Sequence, residues 1–145
     1  PPLLVVHGGP SLPSDYLHPL ARQFSPSRAI IFYDQLGCGR SSQPEERCMY
    51  SIENAVQDLQ DLVRSLHLDK FHLLGHSFGG VLAYEYVAAG QGSGDCLSLT
   101  LHSTPSNMRT SLEECARLEE EVKDDLRFED TKAEEATRAI QQELR

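Results

Sequence analysis

The sequence lacks any apolar run long enough to cross a bilayer, although it extends over 145 residues. It opens on Pro-Pro and a short apolar stretch, without the basic start and apolar centre of a secretory signal. Its apolar and charged contents, 39% and 24%, are those of an ordinary globular domain. These features predict a cytoplasmic protein with no membrane partner. A start without methionine suggests that upstream residues, and any targeting segment among them, are missing.

Cysteine is scarce, and its positions argue against two common uses of the residue. The four thiols have no C-x-x-C spacing, and the six histidines form no cluster with metal-ligand spacing. We therefore predict no metal site and no cofactor. A disulfide framework is disfavoured at this density, so free thiols in a reducing compartment are expected at Cys38, Cys48, Cys96 and Cys115.

Positive charge is also in short supply. Thirteen lysines and arginines face 22 acidic residues, which gives a formal net charge of −9. An acidic surface repels phosphate backbones, so we expect no nucleic-acid partner. The sequence gives no indication of the oligomeric state.

Four short apolar runs, separated by helix-length segments, indicate an α/β fold with a parallel sheet. Most of the runs are continuous rather than alternating, which is typical of strands covered on both faces. The clearest helix has an apolar residue at every third or fourth position and a suitable N-cap, Ser51. The predicted strands are Leu3–Val6, Ala29–Tyr33, Phe71–Leu74 and Leu97–Leu101, and the predicted helices lie within residues 15–24, 51–68 and 81–89.

The composition changes after Leu101. A turn-rich HSTPSN stretch leads into an acidic segment with a thin apolar stripe. Ser111 and Glu114 have the spacing of a capping box, which predicts a helix beginning there. We therefore predict two parts, a partial core over residues 1–104 and the start of a more solvated helical layer over residues 105–145.

A G-x-S-x-G motif lies where a predicted strand turns into a helix, in FHLLGHSFGG. Ser77 would stand at the tip of that turn, with Gly75 and Gly79 relieving steric clashes on either side. Its hydroxyl would be exposed at a helix N-terminus, where backbone N–H groups and the helix dipole favour negative charge. A glycine-rich turn can also serve tight packing alone. The strand–turn–helix context favours Ser77 as the nucleophile of an acyl transfer.

A second glycine motif, His7-Gly8-Gly9, follows the first predicted strand. Acyl transfer develops a tetrahedral oxyanion beside the nucleophile, and two N–H donors must point at it. One donor comes from the residue after the nucleophile, here Phe78, and the other from an upstream loop. We therefore predict an oxyanion hole formed by Gly9 and Phe78, with His7 and Gly8 shaping the loop. The alternative is an ordinary glycine turn closed by Pro10.

The chain resembles the α/β-hydrolase superfamily, and in particular its proline iminopeptidase (prolyl aminopeptidase) family. Four motifs carry this resemblance: HGGP at 7–10, DYL at 15–17, FYDQLGCGRS at 32–41 and GHSFGG at 75–80. The family usually has glycine after HGGP, where this chain has Ser11. The resemblance implies a serine peptidase that removes N-terminal residues, often proline, from a small peptide or aminoacyl substrate. It also implies that residues 105–145 begin a helical lid.

Asp34 and Arg40, in the DQLGCGRS stretch, are side chains of opposite charge that lie six residues apart. We expect them to hold the loop after the second strand through a salt bridge and backbone hydrogen bonds. A direct catalytic role is disfavoured.

A serine nucleophile needs a general base and an acid that orients it. In this superfamily the chain order is Ser, then Asp or Glu, then His. None of the six histidines is a convincing base, so we expect both partners beyond Arg145, in a protein about twice this length. The 145-residue piece is expected to be weakly active or inactive alone, and its parent active.

Three functions remain open from the sequence. The first is an aminopeptidase acting through an acyl-enzyme on Ser77. The second is an esterase, lipase or amino-acid amidase of the same fold, and the third is a non-catalytic binding protein. An epoxide hydrolase or dehalogenase is disfavoured, because those enzymes place Asp where Ser77 stands.

Overall fold

The computed structural model describes residues 1–9, 11–24, 26–90 and 95–122. The chain divides into two compact units, Pro1–Pro105 and Ser106–Arg145. Within the described ranges, no helix combines the length and the apolarity that a membrane span requires. All four cysteines are free thiols, as expected from their number and spacing.

The described part of the first unit contains a four-stranded parallel sheet with the order β2-β1-β3-β4. Its strands are β1 (Leu3–Val6), β2 (Ile30–Phe32), β3 (Phe71–His76) and β4 (Cys96–His102). β1 pairs with β2 on one side and β3 on the other, so that Leu4 lies opposite both Ile31 and Leu73. The parallel sheet and all four predicted strands are confirmed, with identical bounds for β1 and bounds that differ by one or two residues for the others.

Apolar side chains pack on both faces of the sheet because successive residues of β1 point to opposite sides. On one face, Leu4 and Val6 pack with the helices α1 (Ile52–Ser65) and α2 (Phe78–Ala88). On the other face, Leu3 and Val5 pack with Leu17. β1 is buried along its whole length, whereas β4 is half-buried or exposed. Coverage on both faces therefore holds for the central strand and not for β4.

Of the three helices predicted in the first unit, α1 begins at a side-chain cap. The Ser51 hydroxyl accepts a hydrogen bond from the Asn54 N–H at 3.1 Å, which confirms Ser51 as the N-cap of α1. α2 begins at Phe78, three residues before the predicted start. The segment predicted as a helix at 15–24 forms a 3₁₀ helix, Ser14–Gln23, that contains Pro19. Proline lacks the N–H that a regular α-helix needs at this position.

Residues 108–122 of the second unit are helical. The Asn107 side-chain oxygen accepts a hydrogen bond from the Thr110 N–H at 3.1 Å, and the Asn107 carbonyl accepts one from the Ser111 N–H at 3.0 Å. The predicted capping box at Ser111 is therefore wrong, because asparagine is an equally good cap and stands four residues earlier. Glu114 instead accepts a hydrogen bond from the Arg117 guanidinium at 2.9 Å.

Candidate active site

Ser77 forms the sharp junction between β3 and α2. β3 ends at His76 and α2 begins at Phe78, so a single residue makes the turn. Its backbone has φ +52° and ψ −123°, a strained conformation for an L residue that costs on the order of 1–3 kcal/mol. The Ser77 N–H donates to the His102 carbonyl at 2.9 Å, and the Ser77 carbonyl accepts from the Gly80 N–H at 2.9 Å. Hydrogen bonds on both sides therefore hold the strained turn.

This turn carries both the Ser77 hydroxyl and the first backbone amide of α2, that of Phe78. Ser77 is half-buried, and its side chain makes no capping hydrogen bond to α2. The first N–H groups of a helix have no acceptor within the helix, and the helix dipole adds positive character there. No described residue accepts a hydrogen bond from the Phe78 N–H. The turn thus presents a hydroxyl beside an available amide hydrogen.

Two glycines let main-chain segments meet closely around the turn. A Cβ at Gly75 would overlap the backbone of Gly80, across the turn. A Cβ at Gly79 would overlap the carbonyl oxygens of Val6 and His7 at the end of β1. Gly75 therefore makes room within the turn, and Gly79 makes room for β1, a contact that the motif alone does not reveal.

The loop after β1 lies directly beside Ser77. β1 and β3 pair with Val6 opposite Gly75, so the residues that follow the two strands emerge side by side. A Cβ on Gly8 would lie 2.9 Å from the Ser77 Cβ and 3.0 Å from His76 Nδ1. The atoms that leave no room for a side chain at position 8 therefore belong to His76 and Ser77, at the end of β3.

Gly9 differs from Gly8 in backbone conformation and in hydrogen bonding. Its φ is +146°, a region that favours glycine. The Gly8 N–H donates to Tyr16 Oη at 2.7 Å, whereas no described residue accepts from the Gly9 N–H. Of the two loop amides, Gly9 is the one with a hydrogen available to a ligand.

His7 is fully buried and anchors this loop through hydrogen bonds of its imidazole ring. Its Nε2 accepts a hydrogen bond from the Gln35 N–H at 2.9 Å, so the proton lies on Nδ1 and is donated to the Gly8 carbonyl at 2.6 Å. The Gln35 side-chain amide donates to the His7 carbonyl at 2.5 Å. Both ring nitrogens are thereby engaged with the backbone, which suits a loop anchor rather than a general base.

Asp34 ties the loop after β2 to the 3₁₀ helix. Its Oδ1 accepts from the Ser14 N–H and hydroxyl, each at 2.8 Å, and its Oδ2 accepts from the Arg40 N–H at 3.0 Å. The Arg40 Nε lies 3.5 Å from Oδ2, on a side chain that is 82% exposed against 4% for Asp34. The Ser14 N–H and then the Arg40 N–H hold the pKa of Asp34 well below its usual range, although burial opposes them. The expected structural role of the pair is confirmed.

His76 connects the turn to two further side chains. Its Nδ1 lies 2.7 Å from Tyr16 Oη, and its ring stacks on the His102 ring at a centroid distance of 5.3 Å. Burial, and then the neighbouring His102, lower the pKa of His76, which favours the neutral imidazole. The sequence pointed to Tyr16 only as part of the DYL motif, because its contacts join residues far apart in the chain.

A cavity of about 320 Å³ lies beside Phe78, between the loop after β2 and the start of α1. Its lining includes Gln35, Tyr50 and Ile52, and is mostly apolar. Ser77 and Gly9 are not part of this lining. The cavity therefore adjoins the turn at Phe78, from the side of α1.

Comparisons with known proteins agree with this geometry. The sequence profile of the α/β hydrolase fold family matches residues 1–138. A proline iminopeptidase of Saccharolobus solfataricus is 38% identical over 123 residues, which cover 84% of this chain and 39% of the relative. A proline iminopeptidase of Lactobacillus helveticus is 44% identical over 111 residues, covering 74% of this chain and 37% of the relative.

A solved structure gives the same result. The crystal structure of proline iminopeptidase from Mycobacterium smegmatis superposes with a TM-score of 0.72 at 28% identity, covering 83% of this chain and 40% of that one. The chain thus spans about two fifths of the length of these relatives. It belongs to the α/β hydrolase fold family, and its resemblance to the proline iminopeptidases is confirmed.

Proposed function

We propose that the protein carrying this chain is a serine hydrolase that releases N-terminal residues, proline preferred, from peptides through an acyl-enzyme on Ser77. The observation that best supports this proposal is the contact of the two motif loops. The Gly8 backbone packs against Ser77, whose strained turn frees its hydroxyl from capping α2. Similarity to proline iminopeptidases supports the choice of substrate.

The proposed reaction uses Ser77 and two amides. The Ser77 hydroxyl attacks the carbonyl carbon of the N-terminal residue, and its proton passes to a general base. The N–H groups of Gly9 and Phe78 donate to the oxyanion of the tetrahedral intermediate. The base then returns the proton to the departing amine, and water hydrolyses the acyl-enzyme by the same steps.

The general base and the acid that orients it are proposed to come from the part of the relatives' length that this chain does not span. No described imidazole is hydrogen-bonded to the Ser77 hydroxyl, and in this superfamily the acid and then the histidine follow the nucleophile. Residues 105–145 are proposed to begin the lid. On this proposal the 145-residue chain alone is inactive.

Labelling with a fluorophosphonate probe tests the nucleophile in the longer protein. We expect one label, on Ser77, which is lost in Ser77→Ala and kept in Ser65→Ala, a control at an exposed serine that ends α1. Labelling that persists in Ser77→Ala would contradict the assignment. Turnover of prolyl naphthylamide, other aminoacyl naphthylamides and short-chain esters then separates an aminopeptidase from an esterase. Preferential cleavage of the esters would favour the esterase.

A further inference from the structure

Tyr16 links the two loops that meet at Ser77. It lies in the 3₁₀ helix Ser14–Gln23, and its hydroxyl contacts one polar atom from each loop. The Gly8 N–H lies 2.7 Å from Tyr16 Oη, and His76 Nδ1 lies 2.7 Å from the same oxygen. The Tyr16 ring also meets the His76 ring edge-on, at a centroid distance of 5.4 Å. One hydroxyl therefore bridges residues 68 positions apart in the chain.

The direction of these hydrogen bonds follows from the groups involved. A backbone N–H can only donate, so Tyr16 Oη accepts from Gly8. The hydroxyl proton is then free to be donated to His76 Nδ1, provided that this nitrogen is unprotonated. The lowered pKa of His76 is consistent with that state. The result is a continuous chain of two hydrogen bonds from the loop to the turn.

Together with His7, these two hydrogen bonds hold the peptide groups on both sides of Gly8, one of which carries the Gly9 amide. The Gly8 carbonyl and the Gly9 N–H belong to one planar peptide, so they point in opposite directions. His7 Nδ1 holds the carbonyl side of that peptide, and Tyr16 holds the N–H on the other side of Gly8. With both sides of Gly8 anchored, the peptide group that carries the Gly9 N–H is restrained within the loop beside Ser77.

We infer that Tyr16 is a positioning residue that aims the Gly9 amide at the reaction centre through hydrogen bonds to Gly8 and His76. This inference rests on the proposed function of Ser77 and Gly9. Tyr16 does not itself contact the substrate carbonyl in this scheme. Its contribution is to hold the donor in place before the charge develops, which is where preorganised hydrogen bonds have their effect.

The variant Tyr16→Phe in the longer protein removes the hydroxyl and keeps the ring. We expect kcat for prolyl naphthylamide to fall about 10- to 100-fold, as misplacement of a catalytic group predicts, while KM changes less than about threefold. The rate of fluorophosphonate labelling should fall with kcat. Tyr84→Phe is the matched control, because Tyr84 is 54% exposed on α2 and outside the two loops, and it should keep the parent values.

Two variants of His76 test the same link from its other end, and they carry the test if Tyr16→Phe does not fold. Asparagine can present an oxygen close to the position of Nδ1, whereas leucine of similar shape cannot accept a hydrogen bond. We expect His76→Asn to keep several-fold more activity than His76→Leu. In ¹⁵N NMR spectra of the parent, His76 Nδ1 should show the signal of a hydrogen-bonded acceptor, which Tyr16→Phe should shift.

The outcomes separate this inference from the function on which it rests. If Ser77 is labelled and Tyr16→Phe keeps the parent kcat and labelling rate, Tyr16 does not position the donor. Equal activities of His76→Asn and His76→Leu would overturn the link as well. If Ser77 is not labelled in the parent protein, the proposed function itself has failed.

Discussion

Gly8 lies so close to Ser77 that a methyl group on Gly8 would come within 2.9 Å of the Ser77 Cβ. The variant Gly8→Ala must therefore push the loop and the turn apart. We expect the rate of fluorophosphonate labelling to fall about 100-fold, since a displacement of about 1 Å can have this effect. Overpacking should also lower the free energy of unfolding by about 1–3 kcal/mol, measured by denaturant titration. Labelling at the parental rate would show that the close contact is not needed.

Ser11 occupies a backbone position that suits glycine. Its φ is +82°. The proline iminopeptidase family, which the chain resembles, usually has glycine at this position. We expect Ser11→Gly to raise the free energy of unfolding by up to about 1 kcal/mol, because a side chain is disfavoured in this region. The exposed neighbour Leu12 has no positive φ, so Leu12→Gly should destabilise the protein instead. Thermal unfolding of both variants tests the contrast, and a lower Tm for Ser11→Gly would contradict it.

Substitutions at Gly79 and Gly90 distinguish two reasons why alanine can destabilise a glycine position: steric overlap of the added Cβ, and a backbone conformation that disfavours side chains. A Cβ at Gly79 would overlap two carbonyl oxygens at the end of β1, whereas a Cβ at Gly90 would have no atom within 4 Å, although φ there is +74°. We expect Gly79→Ala to lower the free energy of unfolding by about 3 kcal/mol or more. Gly90→Ala should cost only about 1–2 kcal/mol, from its backbone conformation. Equal costs in denaturant titrations would show that α2 can move away from β1.

The buried Asp34 should make stability depend on pH. Its pKa is lowered in the folded protein, so the carboxylate stabilises the fold fully above the ordinary aspartate pKa of about 3.9. This contribution is lost as the pH falls below that value towards the folded-state pKa.

We expect Asp34→Asn to lower the free energy of unfolding by about 2–3 kcal/mol near neutral pH, because the charged acceptor is lost. The difference in the free energy of unfolding between this variant and the parent protein should become smaller below about pH 3.9. Asp69→Asn, at an exposed position, is the control and should change stability little. A difference that is constant from about pH 6 to about pH 2.5 would be evidence against the charge as its cause.

Much of the fold could be predicted from the sequence because apolar patterns are local. The continuous runs of β1 and β3 and the stripe of α1 each follow from neighbouring residues. The helix predicted at 15–24 is present, but its 3₁₀ type was not predicted, because the apolar pattern does not take account of Pro19 within it. The cap at Asn107 was missed because the box at Ser111 has a more familiar spacing. The predicted start was Ser111 alone, and the cap at Asn107 is apparent only from its hydrogen bond to the Thr110 N–H.

The candidate site could be predicted only in part. The G-x-S-x-G motif places Ser77 from local rules, and a strand followed by two glycines indicates the loop. The contacts of Gly8 with Ser77, and of Tyr16 with His76, join distant parts of the chain and depend on how the sheet pairs. No pattern within one segment contains that information.

The pairing of Val6 with Gly75 has a mechanical consequence. Both loops extend from adjacent strands of one buried ladder, so twisting or bending of the sheet carries them together. Distant core substitutions that distort the sheet should therefore change the distance between the two loops very little. Such substitutions are expected to lower the melting temperature well before they change the distance between Gly8 and Ser77.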